Sequence, residues 1–255
     1  DKAYYAARIE PVSQLNQTLE SLTDQLTKMP LAFQPGTQWR YSFATDVCAR
    51  LIEVISGQTF DAFLHAKIFT PLEMRDTDFW VPADKRERFV SMYNAPDLVD
   101  PMKSGFNLAD HDLDARTSKP SYLSGGGGLV SSLGDYCTFI QMIVAGGTWH
   151  GHQLLKPETL ERMRSNQLAD GVAVKFPMFE MPNTVFGLGF AVRTAAGSSE
   201  TDAVIGEYHW GGMAGTHSWM SPAAGIAGLC FTQRMPGFWH PFSHDFRRLV
   251  YAAKR

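Results

Sequence analysis

Apolar residues recur at helical spacing through the first part of the chain and at strand-like spacing through the last part. Between residues 13 and 28, Leu15, Leu19, Leu22 and Leu26 fall three or four apart, which predicts an amphipathic helix ending at Met29-Pro30. Val47, Leu51, Ile52 and Ile55 mark a second helix from Ser42 to Ser56, stopped by Gly57. A shorter one follows from Phe60 to Phe69, ahead of Pro71. Residues 75–123 are rich in Asp, Pro and Lys with weak periodicity, and are expected to be surface loops. Further helices are predicted from Leu133 to Ala145, closed by Gly146-Gly147, from Pro157 to Arg164, and from Pro241 to Ala253.

After residue 180 the period shortens. Phe186–Arg193, Val204–Trp210, Thr216–Met220 and Ile226–Gln233 are short, β-rich and separated by turn residues, as successive antiparallel strands are. Helices, then a strand meander, then a helix predict an α+β fold. Residues 1–180 would form a mostly helical region with surface loops, and 181–255 the antiparallel strands and C-terminal helix.

Composition narrows the classes. Of 255 residues, 44% are hydrophobic and 19% charged, which excludes a disordered chain or a coiled coil. The formal net charge of −3 supplies no basic field, so neither nucleic acid nor an anionic membrane is an expected partner. No apolar run reaches transmembrane length. Cys48, Cys137 and Cys230 are far apart and odd in number, and read as buried, reduced thiols. That favours a cytoplasmic location, with the periplasm as the alternative. The opening Asp1-Lys2-Ala3 is neither signal-like nor a methionine, and reads as a processed or truncated start.

Common chemical signatures are absent: no G-x-S-x-G elbow, no Walker A loop, no H-E-x-x-H pair. Gly125 to Gly128 do not fit G-x-G-x-x-G, because Val130 stands where the last glycine belongs, so they read as a structural turn. Asp110-His111-Asp112-Leu113-Asp114 reads as a solvated acidic loop, and His240 with His244 lacks further ligands. No metal and no cofactor are expected. Two segments stand out. Pro35-Gly36-Thr37-Gln38-Trp39-Arg40-Tyr41-Ser42 is a turn that sets Tyr41 at a helix N-terminus, where a tyrosine is ordinarily a half-buried core residue. His209-Trp210-Gly211-Gly212-Met213-Ala214-Gly215-Thr216 is a strand end whose small residues admit close approach, and alone it reads as a tight β-turn.

Taken together, Pro35 to Thr77 (with P-G-T-Q-W-R-Y-S and I-F-T-P-L-E-M-R-D-T), Ser124 to Phe139 and His209 to Thr216 resemble the β-lactamase-like serine hydrolases. That superfamily holds class C β-lactamases, DD-peptidases and family VIII carboxylesterases. The resemblance implies a β-lactamase/transpeptidase-like fold, an antiparallel sheet flanked by helices beside a mostly helical region, present here in part. It matches Tyr41 to the tyrosine base of Tyr-x-Asn, with Phe43 in place of the asparagine. It matches Trp210-Gly211-Gly212 to the esterase form of the third motif, which is Lys-Thr-Gly in β-lactamases. The Met213 N–H would then be an oxyanion donor, with His209, Trp210, Gly211, Gly212 and Phe43 at the substrate.

The chemistry fits these roles. A phenol of pKa about 10 is a poor base unless a cation stabilises its phenolate, and in the family the lysine of Ser-x-x-Lys does so. No serine or threonine here has lysine three residues later, so the nucleophile is expected upstream of Asp1. The implied activity is hydrolysis of small acyl esters through an acyl-serine. The alternatives are a β-lactamase, a D-aminopeptidase or acyltransferase of the same fold, or a catalytically silent binding module. The chain alone is expected to be inactive. Its expected partners are a small ester or amide substrate and either the missing N-terminal segment or a homodimer partner covering the gap.

Overall fold

A computed structural model describes residues 4, 9, 17–97, 100, 103, 105–109, 116–176, 179–198, 200–237 and 240–254. They divide into two compact units. The first takes Asp1–Pro35, Tyr41–Arg88 and Leu113–Asp135; the second takes Gly36–Arg40, Phe89–Asp112 and Tyr136–Arg255.

In the first unit, α1 (Leu19–Leu26) starts at a capping box. The Thr18 hydroxyl accepts the Ser21 N–H at 3.1 Å, and the Ser21 hydroxyl accepts the Thr18 N–H at 2.9 Å. This helix is shorter than 13–28, and residues 13–16 lie outside those described. Leu19 and Leu22 are buried, and α1 packs on α2 (Ala44–Ser56), which Gly57 closes at φ +68°. The apolar face of α2 turns inward only in part, with Val47 and Ile52 half-buried. Leu51 is 52% exposed and Ile55 83%, while Asp46 and Ala49 are turned in. Helix α3 (Phe60–Leu64) continues into one wide turn, His65–Phe69, where the Thr70 N–H reaches back to the His65 carbonyl.

The stretch 75–123 is not simply surface loop. Phe79, Val81, Ala109 and Leu123 are buried. The Asp135 carboxylate ties the start of the stretch down, accepting the Asp76 N–H at 2.7 Å and the Thr77 hydroxyl at 2.9 Å. The glycine run is a close-approach segment. A Cβ on Gly125 would stand 2.5 Å from the Thr45 carbonyl oxygen, and one on Gly128 would stand 2.8 Å from the Phe79 ring.

In the second unit, β1 (Tyr93–Asn94) pairs with β2 (Asn107–Leu108), and both precede α4 (Leu133–Val144). A small hairpin, β3 (Thr148–Trp149) with β4 (His152–Gln153), leads to α5 (Pro157–Met163). Then come β5 (Thr184–Phe186), β6 (Ala191–Arg193), β7 (Tyr208–Gly211), β8 (Thr216–Ser221) and β9 (Ile226–Phe231), an antiparallel sheet in chain order. Strand β10 (Arg234–Met235) lies parallel to β1, with Tyr93 opposite Arg234, and α6 (Phe242–Ala253) follows.

Two predicted strands are corrected. Phe186–Arg193 is the end of β5, a turn and β6, because Gly189 at φ +91° reverses the chain. Val204 belongs to a 3-10 turn, Asp202–Val204, rather than to the strand after it. Helix α6 seals one sheet face, where Val204, Trp219, Ala224, Cys230 and Tyr251 form a core. A polar cluster sits beside that core. Arg247 bridges Glu207 at 2.5 Å and Glu200 at 2.6 Å, Arg193 also holds Glu200, and the Tyr251 hydroxyl donates to Glu207 at 2.6 Å. Glu207 is fully buried; burial pushes its carboxyl up, and Arg247 and the Tyr251 hydroxyl oppose that only in part.

Candidate active site

The end of β7 is an open strand edge. Pairing with β6 covers only Tyr208 and His209, whereas pairing with β8 runs on through Gly211. The Gly212 N–H donates to the Thr216 carbonyl at 2.7 Å, so antiparallel alternation turns the N–H and C=O of Gly211 to the opposite edge, past the end of β6. Met213 follows in the turn, 57% exposed, its carbonyl accepting the Gly237 N–H at 2.6 Å. Among the described residues, the Met213 N–H meets no acceptor. A Cβ on Gly212 would stand 2.4 Å from the Thr216 hydroxyl, which would have to turn away. A backbone donor left without a protein acceptor beside a strand end is what an oxyanion needs.

Trp210 stands in a group of rings. Its centroid lies 5.2 Å from Phe186 in a perpendicular contact, 6.2 Å from Phe176 at 22°, and 6.4 Å from Trp39. Trp39 meets Phe176 at 5.2 Å and Phe186 at 5.3 Å, and Phe179 stacks on Phe176 at 4.6 Å. All five rings are half-buried. A tight hairpin presents two of them: the Lys175 and Glu180 backbones bridge, and the Phe176 N–H donates to the Phe179 carbonyl. Sequence reasoning singled out Trp210 and the turn that carries Trp39. It missed Phe176, Phe179 and Phe186, which no spacing connects.

His209, expected at the substrate, points away. Residues alternate across a strand, so its ring lies on the face opposite Trp210, half-buried and 5.6 Å from His217. Burial, then His217 and Arg247, hold its imidazole well below the ordinary histidine value. His217 is pushed down to about 3 by burial and by His244 and Arg247. His240 and His244 do not form a pair: His240 turns its Nδ1 to the Phe242 N–H, while His244 lies 5.7 Å from His217.

Tyr41 lies in the first unit, 57% exposed, three residues ahead of α2. Its partial desolvation and the nearby Asp46 carboxylate both push the phenol up, the wrong direction for a base, so activation requires an added cation. Phe43 occupies the N-cap position of α2 and sets its ring edge-on to Tyr4 at 5.4 Å. Asp46, buried beneath, accepts the Tyr122 hydroxyl at 2.6 Å and the Ser124 hydroxyl at 2.7 Å. This network also went unseen in the sequence, because its members are more than 70 residues apart by the separations of 76 and 78.

Other features carry less chemistry. A cavity of about 400 Å3 opens at the far end of the sheet, among Leu160, Arg164, Phe190, Tyr208, Met220 and Ile226, and no predicted site residue lines it. All three cysteines are free thiols, but only Cys230 is buried; Cys48 is exposed. Among the described residues no cluster of three metal-ligating side chains occurs, and the acidic loop at 110–114 lies outside them. No described helix is long and apolar enough to cross a membrane.

The family profile "Beta-lactamase" matches residues 3–253. The chain belongs to the β-lactamase family. Within that family, esterase EstB of Burkholderia gladioli is 32% identical over 241 residues, covering 89% of this chain and 58% of EstB. Protein Rv1367c of Mycobacterium tuberculosis (strain ATCC 25618 / H37Rv) is 30% identical over 217 residues, covering 83% of this chain and 52% of that protein. Among solved structures, EstCE1, described as a hydrolase with promiscuous acyltransferase activity, superposes with TM-score 0.82 at 24% identity, over 98% of this chain and 66% of its own. The fold is therefore the β-lactamase/transpeptidase-like α+β architecture. The chain spans about half the length of the curated relatives it matches.

Proposed function

We propose that these residues belong to a serine esterase that cleaves small acyl esters through an acyl-serine intermediate. The observation that carries this reading is the open end of β7, where Trp210-Gly211-Gly212 leads to Met213, whose N–H meets no acceptor among the described residues. The esterase relative supports it. Since no serine or threonine among the 255 residues has lysine three positions on, the reading places the acylated serine outside them.

In the first step the serine Oγ attacks the ester carbonyl carbon. The Tyr41 phenolate takes the serine proton, and the Met213 N–H donates to the carbonyl oxygen as it becomes negative. The carbon–oxygen bond to the alcohol then breaks, and the alcohol leaves with the proton from Tyr41. Water, deprotonated by the same phenolate, attacks the acyl-serine; the bond from the acyl carbon to Oγ breaks, Oγ takes the proton back from Tyr41, and the carboxylic acid leaves. A lysine ammonium beside Tyr41 would favour its phenolate.

A β-lactamase or D-amino-acid peptidase activity is the second reading. Phe43 and Trp210 weigh against it, because neither side chain offers the polar grip that an asparagine and a lysine give a β-lactam. The test uses a form carrying a Ser-x-x-Lys segment, assayed with p-nitrophenyl butyrate and with nitrocefin. Ester cleavage should dominate, and Tyr41→Phe should lower kcat by about 10^2- to 10^4-fold. Water and an added alcohol compete for the acyl group in the same assay, which separates hydrolysis from acyl transfer. A large preference for nitrocefin would overturn the proposal. So would fluorophosphonate labelling of a serine within the 255-residue chain.

A further inference from the structure

We propose that Trp39, Phe176, Phe179, Phe186 and Trp210 form a subsite for a flat aryl group carried by the substrate. This deepens the esterase reading by naming a substrate class, but the binding it predicts does not depend on catalysis.

The argument starts from where the rings stand. Trp210 is the residue directly before Gly211 and Gly212, so whatever lies on its ring adjoins the strand edge that ends at the Met213 N–H. Around it, four further rings make edge-to-face, tilted or stacked contacts at 4.6 to 6.4 Å. That is the spacing at which aromatic quadrupoles attract, and one more ring of the same kind extends the pattern. None of the five is fully buried. The cluster at Trp219, Cys230 and Tyr251, sealed under α6, does not include them.

The chemistry of the group selects its ligand. A cation would also sit over such rings, but the carboxylate on the hairpin, Glu180, is matched by Lys175 at 3.8 Å, leaving no net negative charge to draw one in. A linear alkyl chain gains area there but no ring-to-ring contact. A planar aromatic group gains both. The ring could enter on the acyl side or on the alcohol side of an ester, and the two are separable.

The experiment is a ligand-observed NMR titration of the 255-residue chain with phenylacetate, benzyl alcohol, cyclohexylacetate, cyclohexylmethanol and butyrate. At least one aryl compound should bind saturably and about fivefold or more tighter than its cyclohexyl counterpart. Phe176→Leu and Phe186→Leu should each weaken it by about two- to tenfold, the share of one aromatic pair. Preference for phenylacetate assigns the ring to the acyl side, and preference for benzyl alcohol to the leaving side. Phe179→Leu, at the hairpin tip, serves if either of the others fails to fold. Equal affinity for phenyl and cyclohexyl compounds would overturn the proposal, as would no saturable binding or no effect of the leucine variants. If aryl binding holds while the serine-containing form cleaves no ester, the esterase reading alone fails; the reverse result sinks the aryl subsite alone.

Discussion

At the scale of single residues, the tightest positions are those where a side chain and a backbone occupy the same space. Gly228 lies opposite Trp219 in the β8–β9 register, and a Cβ there would stand 2.1 Å from an indole that is itself fully buried. Gly228→Ala should therefore cost about 1–3 kcal/mol, read as a lower urea midpoint with near-UV circular dichroism altered at the tryptophan bands. Tyr122→Phe probes the Asp46 network. It leaves a buried carboxylate short of one donor and should cost about 1–3 kcal/mol, whereas Ala substitution at exposed Lys28 should change nothing measurable. What the sequence shows at this scale is uneven. Trp210 and Tyr41 are legible because each sits in an ordered motif. Phe176 and Phe186 are not, because the hairpin at 174–181 and the pairing of β5 with β6 bring them to Trp39 and Trp210, and no local pattern records that meeting.

At the scale of elements, the seat of α6 on the sheet governs how this unit responds to acid. His217 is buried between His209, His244 and Trp219 and titrates near 3, against about 6.5 in an unfolded chain. Between those values the unfolded chain binds a proton that the fold refuses. Stability should thus be flat above pH 6.5 and fall below it, at up to about 1.4 kcal/mol per pH unit for this one group. His209 acts in the same direction. Urea midpoints at pH 7.5 and 5.0 measure the fall, and His217→Gln, which cannot charge, should shrink it. Arg247 pins the same helix. Arg247→Met leaves Glu207 buried without its cation and should cost about 3–5 kcal/mol, while the double variant with Glu207→Gln should recover much of the loss. Among elements, α4 and α5 are legible in the sequence because Gly146-Gly147 and Pro157 punctuate them. The inward face of α2 is not: its apolar period points at Leu51 and Ile55, while hydrogen bonds to Tyr122 and Ser124 draw Asp46 inside instead.

At the scale of the whole molecule, both units are built from three separate lengths of chain. The second needs Trp39 from one length and β1 from another to complete its ring cluster and its three-stranded sheet. A fragment of residues 136–255 should therefore lose β10's partner and show faster proteolysis at 232–240 than the full chain does. The order of motifs makes the architecture legible in the sequence, yet this interleaving is invisible there, since β1 and β10 are two-residue strands without a pattern of their own. Their pairing also sets a timetable. Tyr93 leaves the ribosome long before its partner Arg234 exists, and at about 5–20 residues per second the wait lasts roughly 7–30 seconds. Throughout that interval β1 has no parallel neighbour, so nascent-chain chaperones would meet this segment during synthesis and lose it once β10 emerges.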